Sequence, residues 1–181
     1  MATTIRPAAP RDAHPIAEVH VATWHAAYAG IVPQANLDAV SVGDRATKWT
    51  TWLTAPAPPG TSVLVADDGG RVVGFSNAGP SRDADGPGLG EIRAIYVLPT
   101  HWDTGTGRAL HDASIASLRA ARFPTATLWV LEANARARAF YERRGWRSDG
   151  TVKPIAFLGV DLPEMRYRID LGATAATGEG S

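Results

Sequence analysis

The chain has 181 residues, 45% of them hydrophobic and 20% charged, which is one domain's worth of ordinary globular composition. Lys and Arg number 18 and Asp and Glu 18, so the formal net charge is zero, which argues against a protein built to grip nucleic acid or an anionic membrane. The sequence contains no cysteine, which excludes disulfides, cysteine-ligated zinc, Fe–S clusters and covalent cysteine intermediates.

No apolar run approaches the roughly 18 residues needed to span a bilayer. The start, from Met1 to Pro7, lacks the apolar stretch of a secretion signal, so the cytoplasm is the expected location. Ile5 lies in a short extended segment. Asp12 is expected to N-cap a helix with Pro15 in its first turn. Ala17, Val21, Trp24 and Tyr28 then recur at helical spacing until Gly30 and Pro33 end it. Ser41 and Asp44 match a capping box, and the helix they open carries Trp49, Trp52 and Leu53 on one face. Pro56, Pro58, Pro59 and Gly60 close it. Residues 61–66 and 71–76 are β-rich and flank Asp68-Gly69-Gly70, the signature of a hairpin. Residues 79–90 read as a loop, 91–98 as a strand ending at Pro99, and 105–122 as a helix. Residues 125–132 form a further strand, Asn134 opens a helix that Gly145 stops, and 146–153 and 163–171 are extended. Residues 1–171 are expected to be a single domain, and 172–181, which contain only small or polar residues, a disordered tail. The strand–helix–strand unit in the middle demands parallel pairing, whereas the hairpin before it is antiparallel. The fold class is therefore α/β (α+β), a mixed sheet with helices on its faces.

The densest chemical information lies between Glu91 and Gly145. After Pro99 a turn with Gly105 and Gly107 leads into a helix. Unpaired amides at a helix N-terminus carry partial positive charge, and glycine lets an anion come close. The same pattern also fits a plain strand-to-helix turn. Leu110 stands where a dinucleotide fingerprint needs a third small residue, so a Rossmann reading fails there, and no Gly-Lys-Ser/Thr supports a P-loop. His20 and His25 do not share a helix face, and no metal is expected.

Taken together, Ile95-Tyr96-Val97, Pro99, Gly105 and Gly107, then Asn134, Phe140-Tyr141, Gly145 and Trp146, resemble the GNAT superfamily of acyl-CoA-dependent N-acetyltransferases. Trp24 and Tyr28 followed by Gly30-Ile31-Val32-Pro33 are similar to its opening helix, and the element order agrees over about residues 4–171. The resemblance implies a mostly antiparallel sheet of six to seven strands, a central parallel pair splayed at the cofactor site, and about four flanking helices. It implies acetyl-CoA as co-substrate, a small-molecule or peptide amine as acceptor, and a homodimer. The cofactor would be held by Ile95, Tyr96, Val97, the loop Trp102, Asp103, Thr104, Gly105, Thr106, Gly107 and Arg108, and by Asn134. Trp102 stands where the family has Gln or Arg and is expected to present its backbone amide, and Asp103, where the family commonly has Gly, is expected to turn outward or to cap the helix. Arg136, Arg138, Arg143, Arg144 and Arg147 form a basic run that is either a solvated face or an attraction for the nucleotide phosphate.

An amine with a pKa near 10 must lose a proton, which costs about 4 kcal/mol at pH 7. Glu91 is the expected general base by resemblance, against the alternative of a strand-edge charge. Glu132, His25 and Asp85 are further candidates. Tyr141 is the expected general acid for the coenzyme thiolate, against a core aromatic, and Asn134 is as well explained by an N-cap. Trp24, His25 and Tyr28 are expected at the acceptor pocket, against the alternative of helix packing, with the 79–90 loop either a gate to it or a passive connector. A non-catalytic acyl-CoA-binding module of the same fold is the alternative function.

Overall fold

The computed structural model describes residues 3–172. The tail expected at 172–181 lies outside it apart from Gly172. Strands β1 (Thr4–Pro7), β2 (Ser62–Asp68), β3 (Arg71–Pro80), β4 (Gly90–Val97), β5 (Thr125–Leu131), β6 (Arg147–Phe157) and β7 (Val160–Asp170) form one sheet in the order β1-β2-β3-β4-β5-β7-β6. Helices α1 (Ala13–Ala27), α2 (Gln34–Asp38), α3 (Val42–Thr54), α4 (Thr106–Ala120) and α5 (Ala135–Glu142) flank it. Among the described residues, no helix is long and apolar enough to cross a membrane.

Every neighbouring pair is antiparallel except β4 with β5, because α4 carries the chain from one to the other as a crossover. That parallel pairing lasts only from Gly90↔Ala126 to Glu91↔Thr127. On the other side of β4 the register slips between Asn77 and Ala78, leaving Arg93 as an extra residue. Such a bulge bends and twists its strand. β4 and β5 are no longer paired beyond it, and the sheet is split in its middle.

One face of the sheet packs α1 and α3, with Ile16, Val19, Trp49, Val65 and Phe75 at the centre. The other packs α4 and α5, with Ile115, Leu118, Leu128, Trp146 and Tyr167. Trp146 is buried and donates Nε1–H to His111 Nε2 at 2.9 Å.

Several expectations are corrected. Asp12 does not cap α1 with its side chain. Its buried carboxylate accepts the Ala9 amide at 2.7 Å and pairs with Arg6 Nη1 at 2.7 Å, closing the 3-10 turn before the helix. Trp49 is buried, whereas Trp52 is exposed and lies edge-on to it at 5.3 Å. The short helix α2 adds a fifth. β3 runs on through Pro80 and β4 begins at Gly90, so the loop shrinks to 81–89, and β6 and β7 are both longer than read.

His20 of α1 is stacked on Tyr96 at 4.9 Å and edge-on to Trp24 at 4.5 Å. Burial, aided by Arg45, pushes its pKa down to about 3, and burial lowers that of His111 as well. Between the folded and unfolded pKa values the unfolded chain binds the extra proton, so stability is full above about pH 6.5 and falls as pH drops below it. Glu164, raised by burial, opposes this above pH 4.5. His20 alone is expected to withdraw about 2 kcal/mol between pH 7 and pH 5. Urea unfolding at both pH values checks this. His20→Phe should shrink the difference by that amount, and an unchanged difference counts against a neutral buried imidazole.

Candidate active site

The split leaves β4 with an unpaired edge. Leu98 N–H donates to Val73 C=O at 2.9 Å, so the alternation of the ladder turns Ile95 and Val97 away from β3 and toward the gap. The Val97 carbonyl is already engaged, accepting Trp102 Nε1–H at 2.8 Å and Thr23 Oγ1–H at 3.1 Å. Beyond Glu91 no strand pairs with this edge of β4 among the described residues, so the Val97 amide and the backbone groups of Ile95 face the gap. The Trp102 backbone amide does not face the gap as expected. It donates to Pro99 C=O at 3.2 Å and closes the 3-10 turn after Pro99.

Two cavities meet in the gap. The first, of 310 Å³, lies against the N-terminus of α4 and the flank of α5. It gathers Ile95, Val97, Trp102, Asp103, Gly105, Gly107 and Arg108 with Asn134 and Tyr141. Gly105 has φ +93°, a left-handed conformation that glycine adopts freely, and no side chain caps the helix. Among the described residues, none of the amides of residues 103–108 donates to a protein acceptor. This is a cradle of N–H groups with the positive end of a helix behind it. Arg108, Arg136, Arg143 and Arg144 line the same cavity, so part of the basic run does face it. Asp103 turns outward: its side chain is exposed and pairs with Arg136 Nη2 at 3.1 Å, while that guanidinium lies 4.3 Å above the Trp102 ring. Thr104 and Thr106 shape the loop instead of lining the cavity, Thr104 Oγ1 donating to His101 C=O at 2.8 Å and lying 3.0 Å from Thr106 Oγ1. Unpaired amides, an unpaired strand edge and guanidinium groups fit the diphosphate and amide arm of a coenzyme A.

The second cavity, of 460 Å³, lies beside the first and extends to Tyr28, Tyr96, Phe157 and Glu164. Ile95, Asn134, Ala137 and Tyr141 line both, so the two form a passage through the split. Asn134 caps α5 by accepting the Ala137 amide at 3.1 Å. Tyr141 is buried, its phenol is raised above its ordinary value chiefly by burial, and it stays protonated at neutral pH. Tyr96 points into the second cavity, its hydroxyl 3.3 Å from that of Tyr28.

Of the residues expected around the acceptor, Tyr28 lines this cavity, and Trp24 and His25 do not. Trp24 packs edge-on against Phe157 at 4.9 Å, and His25, in the last turn of α1, lies 3.7 Å from Asp38. Glu91 lines the cavity but is fully engaged. Arg82 donates to it from its backbone amide (2.9 Å), Nε (3.1 Å) and Nη2 (2.6 Å). The 81–89 loop is pinned: Asp83 accepts Trp129 Nε1–H at 2.9 Å, and Asp85 holds Arg166 Nη1 with both oxygens at 2.8 Å. Glu132 is exposed and lines neither cavity.

Sequence reading missed Glu164, Lys153 and Trp129, which share this cavity. The only local signal was a carboxylate in a β-forming segment. Whether that segment lies at the sheet edge or inside it is a matter of strand order, and β7 inserts between β5 and β6.

The family described as "Acetyltransferase (GNAT) family" matches residues 24–146. The chain is 30% identical over 178 residues to "Probable N-acetyltransferase Rv2775" of Mycobacterium tuberculosis, covering 91% of this chain and 92% of that protein. Among solved structures, yncA of Salmonella typhimurium with its cofactor acetyl-CoA has a TM-score of 0.71 at 24% identity, covering 99% of this chain and 100% of that one. The PaiA N-acetyltransferase of Thermoplasma acidophilum in complex with coenzyme A has a TM-score of 0.71 at 17% identity, covering 94% and 99%. At these identities the two structures speak for the fold.

Proposed function

The chain belongs to the GNAT acetyltransferase family, and we propose from this that it moves an acetyl group from acetyl-CoA to a primary amine of a small molecule or peptide, by direct attack in a ternary complex. The single observation that carries the reading is the passage through the split sheet, with a helix N-terminus on one side, an acidic and aromatic cavity on the other, and Tyr141 at the junction.

When bound, acetyl-CoA supplies an activated thioester. The amides of residues 103–108 and the guanidinium groups of Arg108 and Arg143 would hold its diphosphate, and the Ile95 and Val97 edge its amide arm. Asn134 Oδ1 caps α5 and leaves Nδ2 for the same arm. Tyr141 keeps a proton on its phenol oxygen, where a departing sulfur needs one. Asp103 is withdrawn by Arg136, which relieves repulsion of a phosphate.

Calorimetry should detect acetyl-CoA binding at moderate salt, and coenzyme release should appear with at least one amine of a broad panel. Failure to bind acetyl-CoA would overturn the reading. The clamping of Glu91 by Arg82 favours the alternative, a non-catalytic acyl-CoA-binding module; coenzyme release with any amine excludes it. A Cβ on Gly107 would meet Phe140 at 3.4 Å and point further atoms into the first cavity. Gly107→Val is therefore expected to raise the acetyl-CoA Kd roughly tenfold, equal to about 1.4 kcal/mol, with the melting temperature nearly unchanged. Unaltered affinity in a folded variant would place the diphosphate elsewhere.

A further inference from the structure

Three carboxylates reach the acceptor cavity, and they differ in what already holds them. Both oxygens of Glu91 belong to Arg82. Asp83 gives both of its own to Trp129 Nε1–H and also meets Lys153 at 3.3 Å and Arg166 at 3.7 Å. Glu164 meets only Lys153, at 3.5 Å, too long for a strong hydrogen bond. Its side chain is one-tenth exposed and lines the cavity. The strand order places it there: Glu164 of β7 pairs with Leu131 of β5, which borders the split, and with Lys153 of β6 on the far side.

We propose that Glu164 is the group that takes the proton from the acceptor's ammonium. This rests on the transferase reading given above. One N–H bond of the ammonium breaks, its electron pair stays on nitrogen, and the proton passes to a Glu164 carboxylate oxygen and on to solvent through the open cavity. That electron pair then forms the bond to the thioester carbon. The carbon–sulfur bond breaks toward sulfur, which takes the Tyr141 proton, and the second proton shed by the new amide nitrogen restores the phenol. Lys153 marks the binding chemistry of the spot. Its ammonium lies 3.7 Å over the Trp129 ring between Asp83 and Glu164, so the cavity already holds one cation by two carboxylates and an aromatic face.

The groups around Glu164 come from every neighbouring element. Lys153 of β6 favours its charged form. Asp83 of the loop and Glu91 of β4 repel that form, Glu91 carrying Arg82 with it. Tyr28, just after α1, is close enough to be raised by Glu164, and Tyr28 is in turn near Tyr96 and Tyr141. Burial, the largest influence, raises the carboxyl above its ordinary value, which brings a base closer to its working pH.

The test is the pH dependence of kcat/KM at saturating acetyl-CoA, with the best amine of the panel. The wild-type profile should rise on an acidic limb and then level off well below the pKa of the amine, because the bound ammonium reacts once Glu164 is ionised. Glu164→Gln should lower the plateau roughly 100-fold or more and climb tenfold per pH unit through the neutral range, since only free amine then reacts. Its acetyl-CoA Kd should not move. Lys153→Met should shift the acidic limb to higher pH, and Glu91→Gln should retain a limb. If Glu164→Gln fails to fold, Glu164→Asp serves, with a lowered kcat and the limb preserved. A Glu164→Gln profile that keeps its limb, or loss of the limb in Glu91→Gln, overturns the assignment while the transferase stands. A wild type inactive with every amine overturns both.

Discussion

Tyr141→Phe is expected to lower kcat about 100- to 10,000-fold, the usual worth of a positioned general acid, while leaving the acetyl-CoA Kd within about twofold. The phenol sits where the two cavities join, and it is the one hydroxyl that lines both. Tyr28 and Tyr96 pair with each other in the second cavity at 3.3 Å, so neither replaces it. Burial keeps Tyr141 protonated, as a donor must be. Phenylalanine fills nearly the same volume and keeps the edge-on contacts with Phe140 at 5.1 Å and Trp146 at 6.0 Å. A loss of kcat at unchanged coenzyme affinity and melting temperature therefore reports the proton. Since a thiolate of lower basicity leaves with less help from an acid, the defect should shrink with the acetyl thioester of a more acidic thiol. A variant with kcat within threefold of wild type would leave Tyr141 as a packing residue.

Trp146→Ala is expected to cost about 3–5 kcal/mol of folding free energy, the range for emptying a buried aromatic site. Trp146 is 1% exposed and packs with Leu118, Leu128 and Tyr167 under the α4–α5 face. Its loss also strips His111 of the Nε1–H donor at 2.9 Å. Trp146→Phe keeps most of the volume and loses only that bond, so its cost should be about 1–3 kcal/mol. Urea denaturation of both separates volume from hydrogen bond; equal costs would assign the whole effect to His111. Because the Trp146 ring packs edge-on against the Tyr141 ring at 6.0 Å, the alanine variant should also lose activity by loosening Tyr141.

Much of the first cavity was legible. Gly105 and Gly107 after Pro99, Asn134 as a cap and the basic run all depend on residues close together in sequence, where backbone conformation and helix ends leave local marks. Asp103 turning outward was readable as a charge argument, though its partner Arg136 was not. The second cavity was mostly hidden. Trp24 and Tyr28 share a helical period and both pack edge-on against Phe157, yet only Tyr28 lines the second cavity, which the helical period does not reveal. Glu91 was visible as a carboxylate beginning a strand, and its clamp by Arg82 appears only once the 81–89 loop is folded back.

The order of strands and helices, the crossover that makes β4 and β5 parallel, and the uncapped glycine turn were determined by the sequence alone, since periodicity and turn chemistry act over a few residues. Tertiary structure alone decided that the parallel pairing stops after two rungs, that the last strand slips between β5 and β6, and that Glu164 lines the second cavity while Glu91 is held by Arg82. Those outcomes depend on pairings between residues far apart in the chain, and on which buried charge finds a partner, for which no local pattern carries a signal.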